Sequence, residues 1–161
     1  MLRPMHGYEM VCFLSDEGLD AVCPVEQSTL YTYLRNVEGR GLVAWTEERV
    51  GLRPPRKTYA LTDAGRDIVD AWLRRPVGRM REIRREFLLK LFFLDLIDQD
   101  ARSELLQAQI DICQQYLAHV RAGFAQSAFR RLVAESKASA AEATLGWLRA
   151  YSSELQGAGL R

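Results

Sequence analysis

The side chains in this sequence that are best placed for chemistry are ones that bind, not ones that react. On a helix read from about Gln27 to Arg40, Ser28, Thr32 and Arg35 fall on one face, flanked by Thr29, Tyr31 and Asn36. Small hydroxyls, an amide, an aromatic ring and a guanidinium suit base edges and phosphate oxygens. A surface helix with no partner more often shows Glu and Lys pairs there. Two basic stretches accompany this face. Arg49, Arg53, Arg56 and Lys57 run without an intervening acid, and Arg74, Arg75, Arg79, Arg81, Arg84 and Arg85 follow with only Glu82 opposing them. Taken alone, such runs are as readily a solvated surface as a polyanion site.

Reactive chemistry has little raw material. The two histidines, His6 and His119, have no Cys, Ser or carboxylate partner at a catalytic-motif spacing. His6 reads as a packing or hydrogen-bonding residue at a helix start, and His119 as a residue on a helix surface. No glycine-rich phosphate loop is present, and Cys12, Cys23 and Cys113 form neither a paired metal spacing nor an even disulfide framework. They read as small buried hydrophobes in a reducing cytoplasm. The expectation is a protein that is not an enzyme and needs no metal or cofactor.

The elements that would position the binding face follow from periodicity. With 161 residues, 48% hydrophobic and 27% charged, the chain is long enough for one proper core and an appendage. Its net charge of +1 leaves any attraction to nucleic acid to local clusters. The longest apolar run, Phe87 to Ile97, contains Lys90 and Asp95 and is shorter than the roughly 20 residues of a membrane span. A first helix is expected over Gly7 to Leu19. In the helix from Gln27, Leu30, Leu34 and Val37 make the buried stripe, and Gly41 is placed to end it in the left-handed conformation. Strands are expected at 42–46 and 57–61, joined by a loop with Gly51, Pro54 and Pro55 and tipped with arginine. Thr62 or Asp63 then caps a helix that Pro76 ends. Helix, turn, helix and basic hairpin form the pattern of a winged helix-turn-helix head, here residues 1–76. The second helix would enter the major groove and the hairpin would reach neighbouring phosphates.

Residues 77–161 read as entirely helical. Leu106, Ile110, Cys113, Leu117, Val120 and Phe124 repeat at coiled-coil spacing, and so narrow a seam predicts a dimer interface between antiparallel helices. A last segment holds Leu145, Leu148, Tyr151 and Leu155. The aromatic residues Phe92, Phe93, Tyr116, Trp147 and Tyr151 read first as core. As a second reading they line a pocket for a flat apolar effector between the head and the dimer helices. The fold class is therefore mainly α with a small β-hairpin wing.

Several stretches together resemble the PadR family of transcriptional regulators. These are His6-Gly7-Tyr8-Glu9-Met10, Ser28-Thr29-Leu30-Tyr31-Thr32-Tyr33-Leu34, Gly41-Leu42-Val43 and the run from Arg56 to Gly65. Arg85 to Phe93 and Trp147-Leu148 extend the resemblance over nearly the whole chain. It implies a homodimer on a palindromic operator of double-stranded DNA, usually a repressor, released in many members by a small aromatic or drug-like effector. Carried onto this sequence, the groove-facing residues are Gln27, Ser28, Tyr31, Thr32 and Arg35, with Arg53, Arg56, Lys57 and Tyr59 in the wing. Two departures stand out. Thr32 occupies a position that is commonly Pro. Only Met1 to Met5 precede the His-Gly-Tyr segment, where the family usually has a full helix, which implies a misassigned start or a truncation. The rival reading is a winged-helix module that binds another protein. That role would favour an apolar or acidic face where Ser28, Thr32 and Arg35 lie.

Overall fold

A computed structural model describes residues 3–48, 55–123 and 127–158. The chain divides into two compact units, Met1–Leu73 and Arg74–Arg161. No helix among the described residues is long and apolar enough to cross a membrane.

The first unit starts with a strand too short to be read from sequence, β1 (Met5–His6), which leads directly into α1 (Gly7–Asp16). His6 caps that helix in a reciprocal arrangement. Its Nδ1 accepts from the Glu9 backbone N–H at 3.1 Å, and Glu9 Oε2 accepts from the His6 N–H at 3.0 Å. Two otherwise orphaned donors are thus satisfied. A 3₁₀ turn (Leu19–Ala21) connects to α2 (Gln27–Gly39). Of the α2 stripe, Leu34 is buried and Leu30 and Val37 are half-buried. Gly41 stands at φ 69°, a conformation that a side chain would strain, and turns the chain into β2 (Val43–Glu48).

The return strand is β3 (Arg56–Leu61), paired antiparallel with β2 so that Trp45 faces Tyr59 and Thr46 faces Thr58. On its other edge β3 pairs with β1, Met5 against Tyr59 and His6 against Thr58. The hairpin expected from sequence is therefore part of a three-stranded sheet in the order β1-β3-β2. Thr62 precedes α3 (Asp63–Arg74). Its Oγ1 accepts from the Gly65 N–H at 3.1 Å and donates to the Gly41 carbonyl at 2.8 Å, so a single hydroxyl caps α3 and ties it to the turn after α2.

The second unit is helical. A short helix α4 (Met80–Glu82) continues as a π-helical turn (Ile83–Phe87) into α5 (Leu88–Ile97). α6 (Gln99–Ala122) and α7 (Ala128–Ala158) follow. Asp98 caps α6, its Oδ1 accepting from the Ala101 N–H at 3.0 Å while Oδ2 accepts from Arg74 at 2.8 Å. α7 packs along α6, and Arg121 Nη2 meets Glu142 Oε1 at 2.5 Å. The core gathers Ile83, Phe87, Leu91, Leu94, Leu105, Leu106, Ile110, Cys113, Leu145 and Leu148. Three polar side chains among the described residues are buried as well, Lys90, Gln109 and Thr144, the last donating to the Ala140 carbonyl at 2.9 Å. Lys90 pairs with Glu86 at 2.8 Å and donates to the Arg75 carbonyl at 2.7 Å. Gln109 bonds the backbone of Val77. Of the three cysteines only Cys113 is fully buried, and that burial pushes its thiol pKa up.

Candidate nucleic-acid interface

On α2 the apolar stripe turns inward and Gln27, Ser28, Thr32, Arg35 and Asn36 remain exposed. The outer face is internally ordered. Thr32 Oγ1 donates to the Ser28 carbonyl at 3.1 Å and accepts from Arg35 Nη2 at 3.0 Å. The hydroxyl thus holds the guanidinium along the helix and limits the rotamer freedom lost on binding. Tyr31 is half-buried, because its ring lies against α1. A Cβ at Gly7 would come within 2.6 Å of Tyr31 Cε1, so the absence of a side chain at Gly7 is what lets the ring sit there.

In the wing the described residues begin again at Pro55, and Arg53 lies outside them. Arg56 is exposed, with Nη1 3.3 Å from His6 Nε2. Because His6 Nδ1 already accepts the Glu9 N–H, a neutral ring carries its proton on Nε2, so the Arg56 contact is a close approach of two donors. The Glu9 carboxyl is held below its usual range, first by the His6 backbone N–H and then by Arg3. Lys57 is more constrained than its sequence suggests. Its Nζ lies 3.8 Å from the centroid of the Trp45 ring and 3.6 Å from Glu38 Oε1. Trp45 Nε1 in turn donates to that same Glu38 oxygen at 2.6 Å.

Tyr59 corrects the sequence-based expectation. It was expected to be a wing contact, but its side chain is only 6% exposed. Strand alternation sets which face Tyr59 takes, and β1 makes β3 the middle strand, so that Tyr59 has a strand neighbour on each side, Met5 and Trp45. A cavity of 470 Å³ brings Tyr31, Arg56, Lys57 and Tyr59 together with His6, Gly7, Tyr8 and Pro55. Tyr8, Glu38 and Trp45 are participants that the sequence reading did not single out, whereas His6 has the hydrogen-bonding place at a helix start that was read for it. The signals were present, in the His6-x-x-Glu9 capping spacing and in the pairing of β2 with β3.

Two other expected sets lie in the second unit. Leu106, Ile110 and Cys113, assigned to a dimer seam, are 1%, 4% and 0% exposed within the single chain. Their apolar faces are covered by the chain's own packing, so the first half of the seam is intrachain core. Leu117 and Val120 are half-buried, and Phe124 lies outside the described residues. Of the aromatic set, Phe92 and Phe93 meet edge to face on α5 with centroids 5.3 Å apart. Tyr116 is on α6, while Trp147 and Tyr151 are on α7.

Comparison with known proteins identifies the class. Residues 1–71 match the family described as "Transcriptional regulator PadR-like family", and residues 83–156 match that described as "Virulence activator alpha C-term". "Negative transcriptional regulator PadR" of Bacillus subtilis (strain 168) is 23% identical over 133 residues, covering 83% of this chain and 70% of that protein. The crystal structure of Bacillus subtilis PadR in complex with operator DNA matches at 20% identity with a TM-score of 0.46, covering 94% of this chain and 90% of that one. The complex of the same protein with p-coumaric acid matches at 20% identity and a TM-score of 0.40, covering 95% and 91%. The head has the winged helix-turn-helix fold, and the family it matches is one of transcriptional regulators. Over residues 1–71 the chain is similar to the PadR-like transcriptional regulators.

Proposed function

We propose that this protein reads a palindromic operator as a homodimer, acts as a repressor in the cytoplasm, and is released from DNA by a small aromatic or drug-like effector. It acts by binding and not by catalysis. The observation that carries the reading is the outer face of α2, where Ser28, Thr32 and Arg35 are exposed and linked by hydrogen bonds. Such donors and acceptors, set on a rigid helix with its apolar stripe packed, match what the major groove presents. Arg56 and Lys57 supply charge for the adjacent phosphates, and a role for Arg53 beside them rests on sequence alone. A repressor role is supported by the Bacillus subtilis relative, which is described as a negative regulator. Release by an aromatic molecule is supported by the p-coumaric acid complex of that relative. With Leu106, Ile110 and Cys113 inside the chain's own core, the dimer reading rests on Leu117 and Val120 and on the exposed Phe129 and Leu132 of α7. The test is selection of genomic fragments by the purified chain, followed by sequencing. The expected result is enrichment of a shared two-fold element, lost in Arg35→Ala. Recovery of fragments with no common element would overturn sequence-specific reading.

A further inference from the structure

The segment from Arg79 to Lys90 carries five cations and two acids, Glu82 and Glu86. Both acids are engaged elsewhere. Glu82 Oε1 lies 3.9 Å from Arg79 Nη1, and Glu86 Oε1 lies 2.8 Å from the buried Lys90 Nζ. Arg81, Arg84 and Arg85 are all exposed, and among the described residues none of the three has an ion-pair or hydrogen-bond partner. Their presentation is nevertheless fixed. Ile83 and Phe87, at either end of the π-helical turn, are 1% and 0% exposed and anchor its inner side. Arg84 and Arg85 therefore stand on a turn anchored in the core at both ends, with Arg81 on α4 immediately before it.

We propose that Arg81, Arg84 and Arg85 make a second, sequence-independent contact with the DNA backbone, in addition to the base-reading helix and the wing. This inference rests on the DNA-binding reading above. Three observations favour phosphate as the occupant. The cations are all arginine, whose planar fork matches two phosphate oxygens at once. Between them in sequence stand only the half-buried Glu82 and the buried Ile83, so the face offers charge without the apolar wedge that a lipid surface or an apolar protein partner would engage. The same chain carries a DNA-reading head, so DNA bound there raises the local concentration of phosphate around the rest of the molecule.

The experiment measures binding of the full-length chain to a mixed-sequence DNA duplex, and to a fragment from the genomic selection, across a range of salt. It compares the wild type with R81Q/R84Q/R85Q and R81K/R84K/R85K, with thermal unfolding as the control for folding. Each phosphate contact contributes about 0.9 to the slope of log affinity against log salt. The glutamine variant should therefore have a slope shallower by about 2.7 for each protomer that binds, on both DNAs, with its fragment preference unchanged. A fourfold rise in salt should then narrow its deficit by about 40-fold per bound protomer. The lysine variant keeps the charge and should keep the wild-type slope. An unchanged slope in the glutamine variant overturns the proposal, as does a lysine variant as impaired as the glutamine one. If the wild type binds neither DNA, the DNA-binding reading itself fails, and the arginine assignment fails with it.

Discussion

Gln109 closes on both backbone polar groups of Val77, with Oε1 accepting the Val77 N–H at 2.8 Å and Nε2 donating to the Val77 carbonyl at 3.1 Å. The two residues are 32 positions apart, and both are buried. One side-chain amide thus plays the part of a strand partner for an irregular segment that pairs with no strand among the described residues.

Replacing Gln109 with Leu preserves the approximate volume and leaves that N–H and carbonyl without a partner. An unsatisfied buried polar group costs about 1 to 3 kcal/mol, so a loss of about 2 to 6 kcal/mol is expected for the pair. The midpoint of urea unfolding measures it. A loss below about 1 kcal/mol would mean that water replaces the amide.

Gly7→Ala should act on DNA binding more than on stability. The new Cβ meets the far end of the Tyr31 ring, which can swing aside at small cost, but the ring then leaves its place on α2, the helix proposed to read the groove. Operator affinity is expected to fall by about 10-fold, within the range of one lost base contact. In a Tyr31→Ala background the same change should have no further effect, because the two act through one contact. Additive losses in the double mutant would place the Gly7 effect elsewhere.

Ile110→Asp should unfold the C-terminal unit, whereas Leu117→Asp should leave it folded. Ile110 is 4% exposed in the chain's own core, where an unpaired carboxylate is costly, on the order of 4 kcal/mol or more. Leu117 is only half-buried. Circular dichroism melting separates the two, and sedimentation of Leu117→Asp reads its effect on association. A Leu117→Asp protein that stays folded and dimeric would remove this residue from the interface.

Acid sensitivity should trace in part to Asp98. The Ala101 N–H, and then Arg74, hold its carboxyl below the usual value. A folded-state pKa below the unfolded value of about 3.9 gives stability that is fully present above that value and is lost as pH falls through the folded one. Asp98→Asn should therefore flatten the acid limb of the stability curve while lowering stability at neutral pH. A pH profile parallel to wild type would show that other carboxylates control that limb.

The parts of the fold that were legible in the sequence are those encoded locally. The stripe of Leu30, Leu34 and Val37 and the stop at Gly41 follow from helical periodicity and backbone sterics, and both are present. The strand β1 is two residues long and carries no pattern of its own. Its omission propagated, because without it Tyr59 reads as the outer residue of a two-stranded wing. The seam from Leu106 to Cys113 failed for a different reason. Spacing shows that a helix has an apolar face, but not whether a second copy or the same chain covers it. The engagement of Lys57 by Trp45 and Glu38 depends on β2 lying beside β3 and on where α2 ends, a relationship between elements that no single stretch displays.

The Lys57 contacts also bear on selectivity. In the free protein Glu38 already occupies the coordination that an approaching phosphate would take, and the indole of Trp45 holds the ammonium in place. Binding of any anion there is an exchange of one oxyanion for another, so it releases little from the surrounding ion atmosphere. Loose association with arbitrary polyanions is thereby damped at this position. Under the DNA-binding reading proposed above, the lysine would commit to DNA only when the rest of the head has fixed a phosphate in competition with the resident carboxylate, and Glu38 would act as a built-in competitor at the wing.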